Sequence, residues 1–153
     1  MTNISCFHRI FVLCGCLTSL LLTACAREEA ASYLINDDNR HSLSLFRTAY
    51  PWSNAWDVKL VTTHTPQCQR RHTLQEVPES KFRIDVYQPA PDVFILHQGK
   101  RWYVTEMGKC EFQQFEAPPP APGDLVGQFT EKDEQFAFVD AAGKVSITAP
   151  LAR

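Results

Sequence analysis

Glycine is scarce in this chain, six residues of 153, and the five beyond the N-terminal apolar run are scattered. A phosphate-cradling loop needs clustered glycines so that successive backbone N–H groups can reach one anion, and no such cluster exists. Also missing are a glycine-flanked nucleophilic serine and a helix with paired zinc-binding histidines. Ser42, Ser44, Ser53, Ser80 and Ser146 have no sequence neighbour that would activate them. Neither sign of charge is in excess: 15 Lys and Arg stand against 17 Asp and Glu, a net charge of -2. A nucleic-acid partner needs a concentrated basic face. The nearest approach, Arg70, Arg71, Lys81 and Arg83, is diluted by Glu76, Glu79 and Asp85, so nucleic acid is not an expected partner. The apolar run from Ile10 to Leu22 has about 13 residues, short of the roughly 20 that a membrane-crossing helix requires.

That run is preceded by Arg9 and followed by small residues, the layout of a secretory signal. It ends on Leu22-Thr23-Ala24-Cys25, which resembles the lipobox of bacterial lipoproteins. The resemblance covers about the first 25 residues. It implies that 1–24 is a signal peptide, that Cys25 receives a diacylglyceryl group on sulfur, and that Cys25 is then exposed by cleavage and acylated on its amino group. Several acyl chains, at about 0.8 kcal/mol per buried methylene, hold far more firmly than one. Ala26, in the position where Asp would favour inner-membrane retention, implies the outer membrane, periplasmic face. Residues 25–41 carry few large apolar side chains apart from Tyr33, Leu34 and Ile35, and read as an acylated N-terminus and tether.

The six cysteines then reduce to two, because Cys6, Cys14 and Cys16 leave with the signal and lipid takes Cys25. An even pair in an oxidising compartment predicts one disulfide, Cys68 to Cys110. Closing a loop of that size contributes roughly 4 kcal/mol in the chain-entropy account. A competing reading groups Cys68 with His64 and His72, four residues to either side, as zinc or copper ligands. Covalent haem is disfavoured because Arg71 stands where a second cysteine would be required. No cofactor is expected beyond the lipid on Cys25.

From about residue 42 the hydropathy period is two, and 42–153 reads as one β domain. Trp56, Val58, Leu60 and Thr62 alternate with Asp57 and Lys59; Phe82, Ile84 and Val86 alternate with Arg83, Asp85 and Tyr87. Val93 to His97 and Arg101 to Met107 are β-branched and aromatic. Gln98-Gly99-Lys100 predicts a hairpin turn, and a second hairpin is expected over 138–145. The fold class is mainly β, a small antiparallel meander forming a barrel or a sandwich. The proline-rich segment 117–123 cannot continue a central strand, because proline lacks the ladder donor. It reads as a polyproline-like connector leading to a last set of strands, or as a docking strip.

Reaction chemistry is thin. Asp57, Asp85, Glu106 or Glu111 beside His72 or His97 would be needed for acid–base work, and spacing alone does not bring them together. Aromatics are denser: Tyr50-Pro51-Trp52 and Trp56 surround a proline-containing turn, with Trp52 outside the alternating run and expected to be exposed beside Tyr50. Arg101 and Trp102 are expected to form a platform at a sheet edge. The preferred functional reading is a non-enzymatic envelope lipoprotein that binds a protein partner as an assembly or accessory factor. The alternative is a lipoprotein acting on cell-wall glycan or peptide, or on a metal, through Trp52, His64 and His72.

Overall fold

The structure is a computed structural model that describes residues 26–146; the signal peptide expected over 1–24 and the lipid attachment expected at Cys25 lie outside the described residues. One sheet is built from β1 (Arg27–Leu34), β2 (His41–Ala49), β3 (Ala55–His64) and β4 (Cys68–Thr73) in that order, with the short β5 (Val77–Pro78) also pairing with β3. The other comprises β6 (Arg83–Ala90), β7 (Val93–Gln98), β8 (Arg101–Glu106), β9 (Glu111–Phe115), β10 (Asp124–Lys132), β11 (Gln135–Asp140) and β12 (Val145–Ser146). Its spatial order is β12-β11-β10-β6-β7-β8-β9, and every pairing is antiparallel. Among the described residues no ladder joins the two sheets, so the fold is a sandwich and not a closed barrel.

The alternation explains the core. Leu43, Leu45, Trp56, Val58 and Leu60 project from the first sheet onto Ile84, Val86, Phe94, Leu96, Tyr103, Phe129 and Phe138 of the second. At about 25 cal/mol per Å² of apolar surface, this interleaving of large side chains is the main source of stability. Two cross-sheet links close the sides. Tyr33 of β1 stacks on Phe138 of β11 with centroids 4.6 Å apart. On the opposite side the disulfide joins Cys68, at the start of β4, to Cys110, just before β9, with Cα atoms 5.3 Å apart. The sulfur of Cys68 is therefore not a metal ligand.

The tether expected over 25–41 is corrected: Arg27–Leu34 is a full strand, paired residue for residue with β2 from Arg27 opposite Ala49 to Leu34 opposite Ser42. Its inward positions are Arg27, Glu29, Ala31 and Tyr33, of which only Tyr33 is large and apolar, so the strand has no hydrophobic signature of its own. It holds because Glu29 meets the buried Arg47 directly across the ladder.

The proline-rich segment connects distant strands. The chain leaves β9 at Phe115, opposite Trp102 at the start of β8, and re-enters at Asp124, opposite Gln88 towards the end of β6. Since β9 and β10 run in the same direction four strand positions apart, 116–123 has to cross the sheet diagonally. Phe115 is level with Asp85 of β6 through Trp102 and His97, so four spacings of about 4.8 Å and three residues, about 10 Å, along the strands make a diagonal of about 22 Å. Eight residues of polyproline chain at about 3.1 Å each span that distance. The inner face is filled by the core, which leaves the outer face as the route. Pro119 and Pro122, one polyproline turn apart, are half-buried while Pro118, Pro120 and Ala121 are exposed. The outward-pointing Ile95 of β7 is nonetheless 3% exposed, as a covering segment requires. Gly123 ends the crossing with φ +86°, where a Cβ would lie 2.4 Å from the Pro89 backbone.

Candidate functional site

The two ends of the sandwich differ in chemistry. At the first end the β2–β3 connection is a tight turn in which the Ser53 N–H donates to the Tyr50 carbonyl at 3.0 Å, with Pro51 in the second position that its fixed φ favours. The Ser53 hydroxyl accepts the Ala55 N–H at 3.1 Å, and the Glu79 N–H binds the Asn54 carbonyl at 3.1 Å, so the turn is held on both sides. Trp52 at its tip is 78% exposed, and its ring stacks on Tyr50 with centroids 5.1 Å apart and planes at 20°. The aromatic pair is thus presented to solvent, as its position outside the alternating run suggests. Covering a ring so exposed would return roughly 3–5 kcal/mol, taking about 150–250 Å² for a buried tryptophan at about 25 cal/mol per Å².

At the far end the inward stripes of β2 and β3 finish on His41 and His64, which are directly opposite in the ladder. Their rings stack at 4.3 Å with planes at 17°. Asp92, from the β6–β7 turn of the other sheet, brings its Oδ1 to 3.0 Å from His41 Nε2. The backbone holds each group in place. The His41 N–H donates to the Asp38 carbonyl at 3.0 Å, the Thr65 N–H to the Arg40 carbonyl at 2.9 Å, and the Met107 N–H to the Asp92 carbonyl at 2.9 Å. Asp92 adopts φ +60° after Pro91, the third position of a turn that ordinarily takes glycine or asparagine.

Of the two histidines expected from sequence, only His64 is in this cluster. His72 lies on β4 and stacks on Phe112 at 4.1 Å with planes at 8°. Burial, and after it the charge of Arg70, holds its imidazole below the usual histidine range. The sign follows directly. Between the lowered folded value and the unfolded value of about 6.5, the unfolded chain binds more protons than the folded one, so stability rises with pH in that window. Acidifying from pH 7 through it should lower the urea midpoint. His72→Phe, which keeps a ring against Phe112, should remove that part of the slope; an unchanged slope would assign it elsewhere.

Arg101 and Trp102 are not on an edge strand, because β9 pairs with β8 from Trp102 to Glu106. The Arg101 guanidinium donates to Gln75 Oε1 and Glu116 Oε1, each at 3.0 Å. Trp102 is half-buried and stacks on His97 at 4.0 Å. Their platform is therefore corrected to a braced part of the sheet's outer face. Among the carboxylates, Asp57 pairs with Lys59 at 3.0 Å and Glu106 with Lys109 at 3.0 Å. Asp85 meets Arg83 at 2.8 Å and lies 3.9 Å from His97 Nδ1, while His97 Nε2 lies 2.9 Å from the Gly99 carbonyl oxygen. An open cavity of about 290 Å³ lies between β1 and the β11–β12 turn, lined by Tyr33, Leu34, Phe138 and Asp140 among others. Asp140 Oδ1 accepts the Ala142 and Lys144 N–H groups at 2.9 and 2.8 Å, so it serves the turn.

His41 and Asp92 are the members of the far cluster that sequence reasoning missed. The signal for His41 was the parity of Leu43 and Leu45 continued backwards; for Asp92 there was none, since it arrives from the other sheet. No protein-family model, curated protein or solved structure matches this chain.

Proposed function

We propose that the protein is a lipid-anchored component of the bacterial envelope that works by binding, not catalysis, and that its aromatic turn sits at the membrane interface. One observation carries this reading. Arg27 lies opposite Ala49 in the β1–β2 ladder, so the chain enters the domain beside the Tyr50–Trp52 turn, two residues after the Cys25 of the lipobox-like motif. With no tether to lift it, a domain acylated at Cys25 rests directly on the bilayer with that turn underneath. Tryptophan and tyrosine are the side chains enriched at the headgroup level, where an apolar body and a polar tip are both satisfied. The acyl chains supply the affinity and the turn sets the orientation. The outer face of the second sheet then stands upright, with Phe115 and Leu125, 41% and 45% exposed, near the two ends of the proline crossing. This is the face we assign to an envelope protein partner.

The test uses the full acylated chain in vesicles containing brominated lipid and, in parallel, crosslinking in cells. Bromine should quench a tryptophan signal that disappears in Trp52→Phe, while folding stability stays within about 0.5 kcal/mol, as for a surface substitution. Cys25→Ser should leave the membrane fraction and lose the dominant crosslinked neighbour. A Trp52 that stays open to aqueous quenchers would overturn the orientation. A Cys25→Ser protein that remains membrane-bound would overturn the anchor, and an absence of any protein adduct would overturn the binding role.

A further inference from the structure

We propose that His41, His64 and Asp92 form a binding site for a divalent transition metal of the zinc class. The three offer two imidazole nitrogens and one carboxylate oxygen, all within 4.8 Å of one another. Around a tetrahedral ion with bonds of about 2.0–2.1 Å the donor atoms lie about 3.4 Å apart, so small side-chain rotations close the set. One edge, His41 Nε2 to Asp92 Oδ1, is already at 3.0 Å.

The hydrogen-bond account points the same way. His41 Nε2 and His64 Nδ1 are both buried; the first has only the Asp92 carboxylate, 3.0 Å away, and the second has no hydrogen-bond partner among the described residues. A charged His41 facing Asp92 would answer for the first nitrogen alone. A cation shared by both rings and the carboxylate answers for all three groups at once, and buried polar atoms are expected to be answered. With imidazole and carboxylate donors, and the nearby Cys68 sulfur committed to the disulfide, the set suits zinc(II) or copper(II) and not a thiolate-seeking ion such as copper(I). The Asp92 side chain is 39% exposed, so a fourth position opens to solvent and would take water. The ligands come from both sheets, and the ion would fasten the end of the sandwich remote from Trp52. The site does not depend on the lipid anchor.

The experiment titrates the purified full chain, in detergent, with cobalt(II) and zinc(II) alone. Cobalt should give the visible absorption of a four-coordinate site at one equivalent, displaced by zinc. Zinc at about a hundred times its dissociation constant should raise Tm by about 10 °C. Asp92→Asn is the informative variant. Asparagine tolerates the left-handed turn position at least as well as aspartate, so stability without metal should be unchanged or raised. Zinc affinity should nevertheless fall by more than the ten- to hundredfold that loss of an outer hydrogen-bond partner costs. His64→Gln should abolish the cobalt spectrum, whereas His72→Phe and His97→Gln should leave it intact. No cobalt band with wild-type protein, or a band that survives in Asp92→Asn and His64→Gln, would overturn the site.

Discussion

Replacing Arg47 by alanine is expected to cost about 2–5 kcal/mol of folding stability, the range for truncating a large buried side chain. Arg47 is 1% exposed in the middle of the inward stripe of β2. Its guanidinium lies 4.0 Å from the ring centre of Trp56, 4.4 Å from Phe136 and 4.8 Å from Phe82. Nε donates to Glu29 Oε2 at 2.8 Å, Nη2 meets the same carboxylate, and Glu131 stands 3.8 Å away. Arg27 covers Trp56 too, at 4.5 Å, and is itself 3.3 Å from Glu29. Truncation opens a cavity among three rings and removes their cation, while Glu29, still 29% exposed, regains water. The loss should therefore be mostly packing, and the replacement series can show it. Arg47→Met fills the space without charge and should recover most of the stability, since buried ion pairs are often matched by apolar residues of similar volume. Arg47→Lys keeps the charge but has no plane to lie on the rings, and should fare worse than methionine. Urea unfolding followed by tryptophan fluorescence gives the order. A lysine variant equal to wild type with methionine far below it would mean that charge, not shape, holds this site.

Arg47 also marks where sequence legibility ends. The period-two stripes from Trp56 to Thr62 and from Phe82 to Val86 state which faces turn inward, and the structure keeps them. The stripe of β2 runs Leu43, Leu45, Arg47, Ala49, and its continuity implies that Arg47 is inside. Nothing local says that Glu29, eighteen residues earlier, makes this tolerable. For the same reason β1 reads as a tether: its inward side chains are chosen to suit partners in β2 and β11, and alone they look polar. Sandwich and barrel share one alternation and differ only in whether the last ladder closes, which no residue announces. The turn at Tyr50 to Ser53 was legible because proline and an out-of-register tryptophan act locally. The His41–His64–Asp92 cluster was half legible, since His41 and His64 end inward stripes while Asp92 is brought by the packing of one sheet on the other.

Removing the disulfide is the second change with a large expected effect, a loss of about 2–5 kcal/mol. Cys68 and Cys110 are separated by 42 residues, for which chain entropy alone assigns roughly 4 kcal/mol. The location adds to this. The bond is the covalent link between β4 and β9, which form edges of their sheets, whereas the opposite side is held by Tyr33 packed on Phe138 and Phe94. With the bond gone that side opens first, so amide exchange should rise in β4 and β9 well before β2, β3 or β6. At about 1–3 kcal/mol per molar urea the midpoint should fall by roughly 2 M. Cys110 has φ +61°, a conformation that glycine adopts freely and alanine resists. A Cys68→Ala, Cys110→Gly pair should therefore retain more stability than Cys68→Ala, Cys110→Ala. The direction of that difference separates two causes: a backbone held left-handed by the surrounding turn favours glycine, whereas a backbone held there only by the bond would relax on its removal and favour alanine.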